Sequence, residues 1–287
     1  MRKYNYKYEV RNITKTKQAE IDFISLGRNK NNISAIGVID VTEVRNYFRS
    51  HLDEYGKPYS FTGYIAYLLG QAIKEHPHIN AYMKGRKKII IFEDVDIVAI
   101  VERQFEGYER PIPTAYTIRA AQKKHWKEIH KEIRNAQTRK AKGLQYDDKK
   151  KKQARRVKMF TKMPGWLRRI LLKKAMRNPH QKKQFNGTIG LTSIGMFLQE
   201  GGNPIAVTPH VVSFQVGGTD WQPRFINGEL KNREFLHACF SIDHNVIDGA
   251  DAARFIATFR QMFTKGHGID LSEPCDILPN EGYVEEL

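Results

Sequence analysis

Cysteine is nearly absent from this 287-residue chain, which contains only Cys239 and Cys275. Two cysteines so far apart in sequence cannot build a zinc site or a disulfide framework. Because Cys239 lies inside an apolar run, it is expected to be a small core residue rather than a nucleophile. His76 and His78 flank a proline at a predicted helix end, and they are expected to be boundary residues, so no metal site is predicted.

Long hydrophobic runs are also missing. No apolar run approaches the roughly 20 residues that a membrane-spanning helix needs, and residues 1–4 begin no apolar signal-peptide segment. A cytoplasmic protein is therefore expected. With 40% hydrophobic composition, a chain of this length can bury one substantial core, so a single domain over residues 1–287 is predicted.

Acidic residues are scarce in one part of the chain. Residues 119–183 contain 24 Lys and Arg but only four Asp and Glu, whereas the remainder holds 24 basic and 27 acidic residues. The formal net charge of +17 therefore arises from one segment, and the body of the protein is close to neutral. The C-terminal tail, 271–287, carries five acidic residues and no basic one, and it is expected to be solvated.

Apolar periodicity predicts helices and strands without regular β-α-β alternation. Helices are predicted at 15–27, 42–52, 61–74, 120–140 and 157–177, and strands at 33–41, 88–92, 97–102, 187–193, 211–216 and 236–242. Thr42 is the predicted N-cap of its helix, and Pro164 is expected to break the last one. The glycine-rich loop from Gly195 to Pro209 is expected to approach a neighbouring group closely. Turns are predicted at Pro111–Pro113 and at Asn227-Gly228. Because no glycine-rich nucleotide fingerprint is present, the pattern favours an α/β (α+β) two-layer sandwich, with a mixed sheet and helices on one face, over a Rossmann fold.

One strand-to-helix connection has a pattern typical of a catalytic loop. An alternating apolar strand leads to His244, and a helix with an apolar face begins after Asp248-Gly249. Asp248 is expected to bond backbone N–H groups at the helix start, and Gly249 to permit a close or left-handed backbone. From spacing alone, a catalytic base and an ordinary loop histidine beside an N-cap fit equally well.

Five segments in sequence order resemble the catalytic domain of the dihydrolipoamide acyltransferases of 2-oxo-acid dehydrogenase complexes, a family that shares a fold superfamily with chloramphenicol acetyltransferase. These segments are Ile39–Val44, His76–Ala81, Pro111–Ile118, Gly187–Phe197 and Ser241–Ala250. Gly187–Phe197 closely follows the family pattern GTFTxSNxGMF, and Ser241–Ala250 resembles the active-site signature. The resemblance covers roughly residues 15–143 and 185–265, and it implies a chloramphenicol acetyltransferase-like fold.

The resemblance implies a coenzyme A-dependent acyltransferase that forms a homotrimer, with active sites at subunit interfaces. His244 would be the general base that takes the proton from a thiol. Thr192 stands where the family has a serine whose hydroxyl stabilises the oxyanion, and Asp248 would hold the loop through an ion pair and backbone contacts. Ser193 and Gly249 are the residues expected at the coenzyme A site.

The chain also departs from the family pattern. Asn245 replaces the arginine that usually follows the histidine. The family's arginine partner of the loop aspartate has no clear counterpart among residues 15–21, so either Lys15 or Lys17 substitutes for it or the pairing is lost. No lipoyl or subunit-binding domain is recognised, so a lipoyl group would come from another chain, such as a lipoyl or acyl carrier protein, or the acceptor is a different molecule.

Residues 144–184 form a basic amphipathic insertion without a counterpart in the family. One interpretation is peripheral contact with an anionic membrane at the inner membrane surface. The apolar residues that would enter the headgroup region are Trp166, Leu167, Ile170 and Leu171. The basic residues that would contact lipid are Arg168, Arg169, Lys173 and Lys174.

Other interpretations of the insertion stay open. The positive charge could attract coenzyme A phosphates or an acidic carrier protein, or the insertion could pack on its own trimer and expose a solvated face. Nucleic acid is not favoured, because the aromatic residues are not spaced as a stacking platform. The alternative to an acyltransferase is a catalytically silent trimeric scaffold whose insertion recruits an anionic membrane or protein partner.

Overall fold

The computed structural model describes residues 9–10, 12–27, 30–85, 87–103, 111–138, 159–160, 162–195, 198 and 201–272. Most of the acidic tail and residues 144–158 of the insertion lie outside these ranges, as does Cys275. Within them, no helix is long and apolar enough to cross a membrane.

A six-stranded mixed sheet forms one layer of the molecule, in the order β1-β8-β7-β6-β4-β5. β6 runs parallel to β4 and β7, whereas the other neighbours are antiparallel. A separate hairpin consists of β2 and β3. The strands are β1 (Asn32–Asp40), β2 (Ala81–Lys84), β3 (Lys88–Ile91), β4 (Ile97–Arg103), β5 (Ile112–Ile118), β6 (Ile189–Ser193), β7 (Val212–Ile226) and β8 (Glu229–Asp243).

Helices supply the second layer. They are α1 (Lys15–Ile24), α2 (Thr42–Ser50), α3 (Phe61–Glu75), α4 (Trp126–Thr138), α5 (Gly165–Arg177), α6 (Pro179–Asn186) and α7 (Gly249–Thr264). α3 is central and is buried along most of its length, which its nearly continuous apolar sequence requires. Its first turn is capped by Ser60, whose hydroxyl accepts a hydrogen bond from the Gly63 N–H at 3.1 Å. The predicted two-layer sandwich with a mixed sheet is confirmed.

The core forms where the alternating residues of β7 and β8 meet α7. Phe214 of β7 and Phe240 of β8 lie with ring centroids 4.4 Å apart, and Phe259 of α7 packs at 5.0 Å from the first ring and 5.2 Å from the second. All three side chains are buried. Each such ring stabilises the fold by about 1.5–3 kcal/mol through removal from water. This packing fixes the end of β8 relative to the start of α7, and the His244 loop joins these two points.

Several predicted boundaries differ from the structure. Thr42 is not the N-cap of α2; it is the first helical residue, and its hydroxyl instead donates to Asp40 at 2.7 Å and accepts from the Glu234 N–H at 2.8 Å. Residues 112–118 form a strand, so the predicted turn at Pro111–Pro113 is wrong. The hairpin of β7 and β8 is far longer than predicted, and its turn is the predicted Asn227-Gly228, with φ of 52° and 85°.

The glycine-rich loop does approach a close neighbour, and that neighbour is the chain itself. β7 has a bulge between Val216 and Thr219, and a Cβ on Gly217 would lie 1.9 Å from the carbonyl oxygen of Gly202. A Cβ on Gly218 would lie 2.2 Å from the carbonyl oxygen of Leu198. Glycine is required because backbone packs directly on backbone here.

The described part of the insertion is anchored to the first helix. Residues 159, 160 and 162 are helical, and the helical backbone restarts at Gly165 after Pro164, as predicted. The guanidinium Nε of Arg168 donates to the Asp22 carboxylate of α1 at 2.6 Å, and both side chains are buried. The prediction that Arg168 contacts lipid is therefore wrong, because its charge is already paired inside the protein.

Candidate active site

His244 lies at the end of β8, in a turn that continues into α7. Its side chain is exposed, and it has no hydrogen bond to any residue in the described ranges. The main chain is held more firmly, because the His244 N–H donates to the Asn31 carbonyl at 2.8 Å. The following Ile247 is buried in the core. A histidine on a fixed backbone with an accessible ring is the arrangement that a general base requires.

Asn245, which replaces the family's arginine, links the loop to Asp243 at the end of β8 and to Asn31 just before β1. Its Nδ2 donates to Asp243 Oδ1 at 2.8 Å, and its Oδ1 accepts from Asn31 Nδ2 at 2.8 Å. The Asn245 N–H also donates to Asp243 Oδ1, at 3.2 Å. Asn31, Asp243 and Asn245 therefore form a polar clamp around the His244 backbone.

A buried cationic cluster lies beneath this clamp. Lys30 forms an ion pair with Asp243 at 3.5 Å and donates to the carbonyl of His210. The ammonium of Lys182 lies 3.9 Å from the centre of the Tyr82 ring. Burial lowers the pKa of Lys182 to about 7, with a further contribution from the charge of Lys30.

Burial also disfavours the charged form of the other groups in the cluster. It lowers the pKa of His210 to about 3, so this imidazole is neutral, and it raises the pKa of the Tyr82 hydroxyl. Burial also lowers the pKa of Lys30, against the opposing charge of Asp243. Asp243 is thus the carboxylate that keeps a cation next to the His244 loop.

Asp248 and Gly249 do not act as the sequence predicted. Asp248 occupies the N-cap position of α7, but its exposed side chain makes no capping hydrogen bond. Neither Lys15 nor Lys17 pairs with it: Lys17 bonds Glu20 at 2.9 Å, and no ion pair to Asp248 occurs in the described part of the chain. Gly249 has no left-handed backbone, and a Cβ there would meet no atom within 4 Å. The predicted cap and the predicted close approach are therefore wrong for the single chain. Of the two alternatives for the ion pair of Asp248, loss of the pairing is the one that the described residues show.

Thr192 lies on β6 and faces a polar row of the sheet. It is level with Gln215 of β7, whose amide donates to Ser213 at 2.6 Å and accepts from Ser241 at 3.3 Å. With Gln215 engaged in this way, the half-buried Thr192 hydroxyl has no hydrogen bond to another described residue. Ser193 is the next strand residue and points to the opposite face of the sheet, so these two side chains cannot line one surface together.

Thr192 and His244 are not neighbours within one chain. Thr192 pairs with Gln215, which pairs with Cys239, so Thr192 is level with Cys239 and two strands away from it. His244 follows five residues later. At about 3.3 Å per residue and about 4.8 Å between strands, the two Cα atoms are roughly 15–20 Å apart.

Other histidine and cysteine positions have structural explanations. His130 is buried with fixed partners, since its Nδ1 accepts from the Ser60 N–H at 3.0 Å and its Nε2 bonds Asp53 at 3.1 Å. Burial lowers the pKa of His130, which favours the neutral ring. His76 bonds the Thr258 hydroxyl at 2.8 Å, and Cys239 is buried as predicted. Within the described ranges, no cluster of ligands could hold a metal ion.

The clamp and the cation below it were missed by sequence reasoning. Lys30 and Asn31 contact residues more than 200 positions away, and no local pattern reveals such a pairing. The one available signal was their position, because a Lys-Asn pair directly precedes the edge strand β1, next to the end of β8.

Comparison with known proteins gives one family. The family model of the 2-oxoacid dehydrogenase acyltransferase catalytic domain matches residues 24–152 and 168–267, which is more than half of the chain. The dihydrolipoyllysine-residue acetyltransferase component of the pyruvate dehydrogenase complex of Acholeplasma laidlawii is 29% identical over 82 residues, covering 29% of this chain and 15% of that protein. The chain spans less than half the length of the curated relatives that it matches.

Two solved structures share the fold. A probable dihydrolipoamide acetyltransferase from Listeria monocytogenes superposes with a TM-score of 0.64 at 21% identity, covering 90% of this chain and 95% of that one. The dihydrolipoamide acetyltransferase of Azotobacter vinelandii superposes with a TM-score of 0.63 at 18% identity, covering 90% and 92%. In the Azotobacter protein, the roles of a serine, a histidine and an asparagine in the catalytic mechanism were investigated. These similarities confirm the fold that the sequence motifs implied.

Proposed function

The chain belongs to the family of 2-oxoacid dehydrogenase acyltransferase catalytic domains, and from this premise we propose that it transfers an acyl group between coenzyme A and a thiol acceptor. The observation that carries the proposal is the His244 loop, in which a clamped backbone presents an accessible imidazole between β8 and α7. His244 is the general base of the reaction, and Thr192 stabilises the oxyanion.

The reaction begins with a proton transfer. The acceptor thiol gives its proton to the neutral imidazole of His244, and the resulting thiolate attacks the thioester carbonyl carbon of the acyl donor. The carbonyl oxygen becomes an oxyanion, and the Thr192 hydroxyl donates a hydrogen bond to it. Collapse of the tetrahedral intermediate breaks the bond to the sulfur of coenzyme A. That sulfur takes the proton back from His244, so coenzyme A leaves as the thiol.

The site is shared between two subunits of a homotrimer. The distance of roughly 15–20 Å between Thr192 and His244 in one chain is too long for both to contact the same carbonyl group. A neighbouring copy that brings its Thr192 to the His244 loop removes this difficulty. The exposed side of Asp248 and the open surface at Gly249 then face the neighbour or the substrate, and the missing ion-pair partner of Asp248 comes from that neighbour or from a ligand.

The substrate class follows from the family and from the chemistry of the site. A base beside an oxyanion donor suits thioester exchange, so the donor is an acyl-coenzyme A or an acylated dithiol such as a lipoyl group on another chain. In this scheme the Gly249 backbone borders the coenzyme A site, and Ser193 contacts coenzyme A around the end of β6. The studied serine and histidine of the Azotobacter enzyme support the assignment of a hydroxyl and an imidazole to these two roles.

Acyl transfer from acetyl-coenzyme A to dihydrolipoamide tests the proposal directly. We expect turnover by the wild-type chain and a loss of about 10²–10⁴-fold in His244→Ala, because the base is removed. Thr192→Val should lose about 10²–10³-fold in kcat, because the shape is kept but the hydroxyl is lost, whereas Thr192→Ser keeps most of the activity.

The same assay has a control variant and two outcomes that would contradict the proposal. The matched control is His180→Ala, an exposed histidine on α6 that should keep full activity. No turnover with a panel of acyl donors and thiol, amine and hydroxyl acceptors would reject the enzymatic assignment. Turnover that His244→Ala leaves unchanged would reject the assigned base.

A further inference from the structure

The outer face of α5 is held in a fixed orientation. The buried ion pair between Arg168 and Asp22 attaches the inner side of this helix to α1, and Arg169 adds a second contact to the same carboxylate at 3.6 Å. Breaking one partner of such a buried pair is costly. The residues on the opposite side of α5 therefore cannot turn inward to hide apolar surface.

That outer face combines apolar and basic side chains. At 100° per residue, positions i, i+4, i+7 and i+11 of a helix lie on one stripe, and on α5 they are occupied by Trp166, Ile170, Lys173 and Arg177. Trp166 is 60% exposed and Ile170 is 55% exposed. Lys174 is exposed on one flank of the stripe. We name Trp166, Ile170, Lys173, Lys174 and Arg177 the α5 outer face.

Charge complementarity decides what this face binds. The sequence from Lys149 to Gln199 contains 15 Lys and Arg and no Asp or Glu. Two copies that met face to face would bring like charges together, which opposes a symmetric self-contact. A surface with both negative charge and an apolar layer beneath it satisfies the basic and the apolar side chains together.

We propose that the α5 outer face docks on the headgroup region of an anionic lipid bilayer. Trp166 and Ile170 enter the boundary between headgroups and acyl chains, and the flanking cations contact lipid phosphates. The family model leaves out residues 153–167, which include Trp166, and it matches the remaining residues of the α5 outer face. The inference goes beyond acyl transfer, and it does not depend on it.

Vesicle flotation of the full chain tests the proposal without any acyl substrate. We expect binding to vesicles of phosphatidylcholine mixed with phosphatidylglycerol, no binding to phosphatidylcholine alone, and release at high salt. Trp166 emission should shift to shorter wavelength on binding, and the shift should be lost in Trp166→Phe. The triple variant Lys173→Gln, Lys174→Gln, Arg177→Gln should bind roughly a hundredfold more weakly, because each basic residue near the surface contributes substantially.

The matched control removes the same charge elsewhere. Lys74→Gln, Lys84→Gln, Lys265→Gln changes three exposed lysines outside α5 and should bind vesicles as the wild type does. An equal loss of vesicle binding in both triple variants would overturn the proposal, because binding would then depend on net charge alone and not on α5. Absence of vesicle binding would overturn it too, and a change of assembly mass in Trp166→Ala, Ile170→Ala by sedimentation would then show that a second copy covers this face.

Discussion

Three side chains decide how the His244 backbone is placed. Asn245 bonds Asp243 on one side and Asn31 on the other, and Asn31 also accepts the His244 N–H through its carbonyl. Asp243 in turn is paired with the buried Lys30. In the proposed reaction none of these groups carries out the chemistry, but the position of the imidazole depends on them, and small displacements of a catalytic group reduce rates strongly.

Asn245→Ala removes two bonds of the clamp and leaves the core untouched. We expect kcat to fall by roughly tenfold to a hundredfold with little change in KM, because the base is displaced while binding surfaces stay in place. Steady-state kinetics measure this split. Asn135→Ala, an exposed asparagine on α4, is the control. Asn31→Ala combined with Asn245→Ala should be little worse than either alone; additive losses would contradict a shared clamp.

The buried Lys182 makes stability depend on pH. Its pKa is about 7 in the folded protein against 10.5 for the free side chain, so between these values the unfolded chain binds more protons and the free energy of unfolding rises with pH. We expect the wild type to gain about 2 kcal/mol between about pH 7 and pH 9 from this group. Urea denaturation of Lys182→Met should show a smaller gain and a higher stability at the lower pH.

The control for this effect is an exposed lysine. Lys74→Met, on α3, should keep the rise of the wild type. If Lys182→Met and the wild type gained the same free energy over this range, the buried ammonium would not be the cause.

Sequence reasoning identified His244, the proposed base, but not the residues that hold it. Spacing alone left the role of His244 open, and the resemblance of Ser241–Ala250 to the family's active-site signature made it the candidate. The clamp joins residues more than 200 positions apart, and only the pairing of β1 with β8 brings them together. The failure of Asp248 as a cap has a similar reason, because a sequence shows the residue type at an N-cap but not the direction of its side chain.

At the scale of elements, the long hairpin of β7 and β8 organises the site. β8 delivers His244, and β7 lies between it and the Thr192 strand. The glycine-rich loop packs on the β7 bulge at Gly217 and Gly218. The sequence predicted the glycine requirement and the hairpin turn, but it did not predict how far the strands extend, since residues 219–226 lie beyond the apolar core and lose the alternation on which prediction depends.

Gly217→Ala tests the contact between the loop and the bulge. A Cβ would meet the Gly202 carbonyl oxygen at 1.9 Å, so the loop has to move, and we expect a loss of about 1–3 kcal/mol in the free energy of unfolding. Thermal and urea denaturation measure it. Gly37→Ala in β1, where a Cβ meets nothing within 4 Å, should be neutral or slightly stabilising; an equal loss at both positions would contradict the packing argument.

At the scale of the whole molecule, the single chain holds only half of the proposed reactive centre. Thr192, the proposed oxyanion donor, lies on β6, and His244, the proposed base, follows β8, which is two strands away in the sheet. Family resemblance predicted an interfacial site, whereas residue patterns could not, because they carry no information on the distance between Thr192 and His244. The separation of roughly 15–20 Å turns that expectation into a geometric requirement of the proposed mechanism.

Subunit complementation tests the shared site most directly. His244→Ala and Thr192→Val chains, each nearly inactive alone, are unfolded together, refolded as mixed trimers and assayed for acyl transfer. If each site takes its base from one chain and its hydroxyl from the next, one interface in four pairs both intact residues, and about a quarter of wild-type activity returns. If mixed trimers form and activity stays at the level of the separate variants, the two residues do not act across a subunit boundary, and the account is wrong.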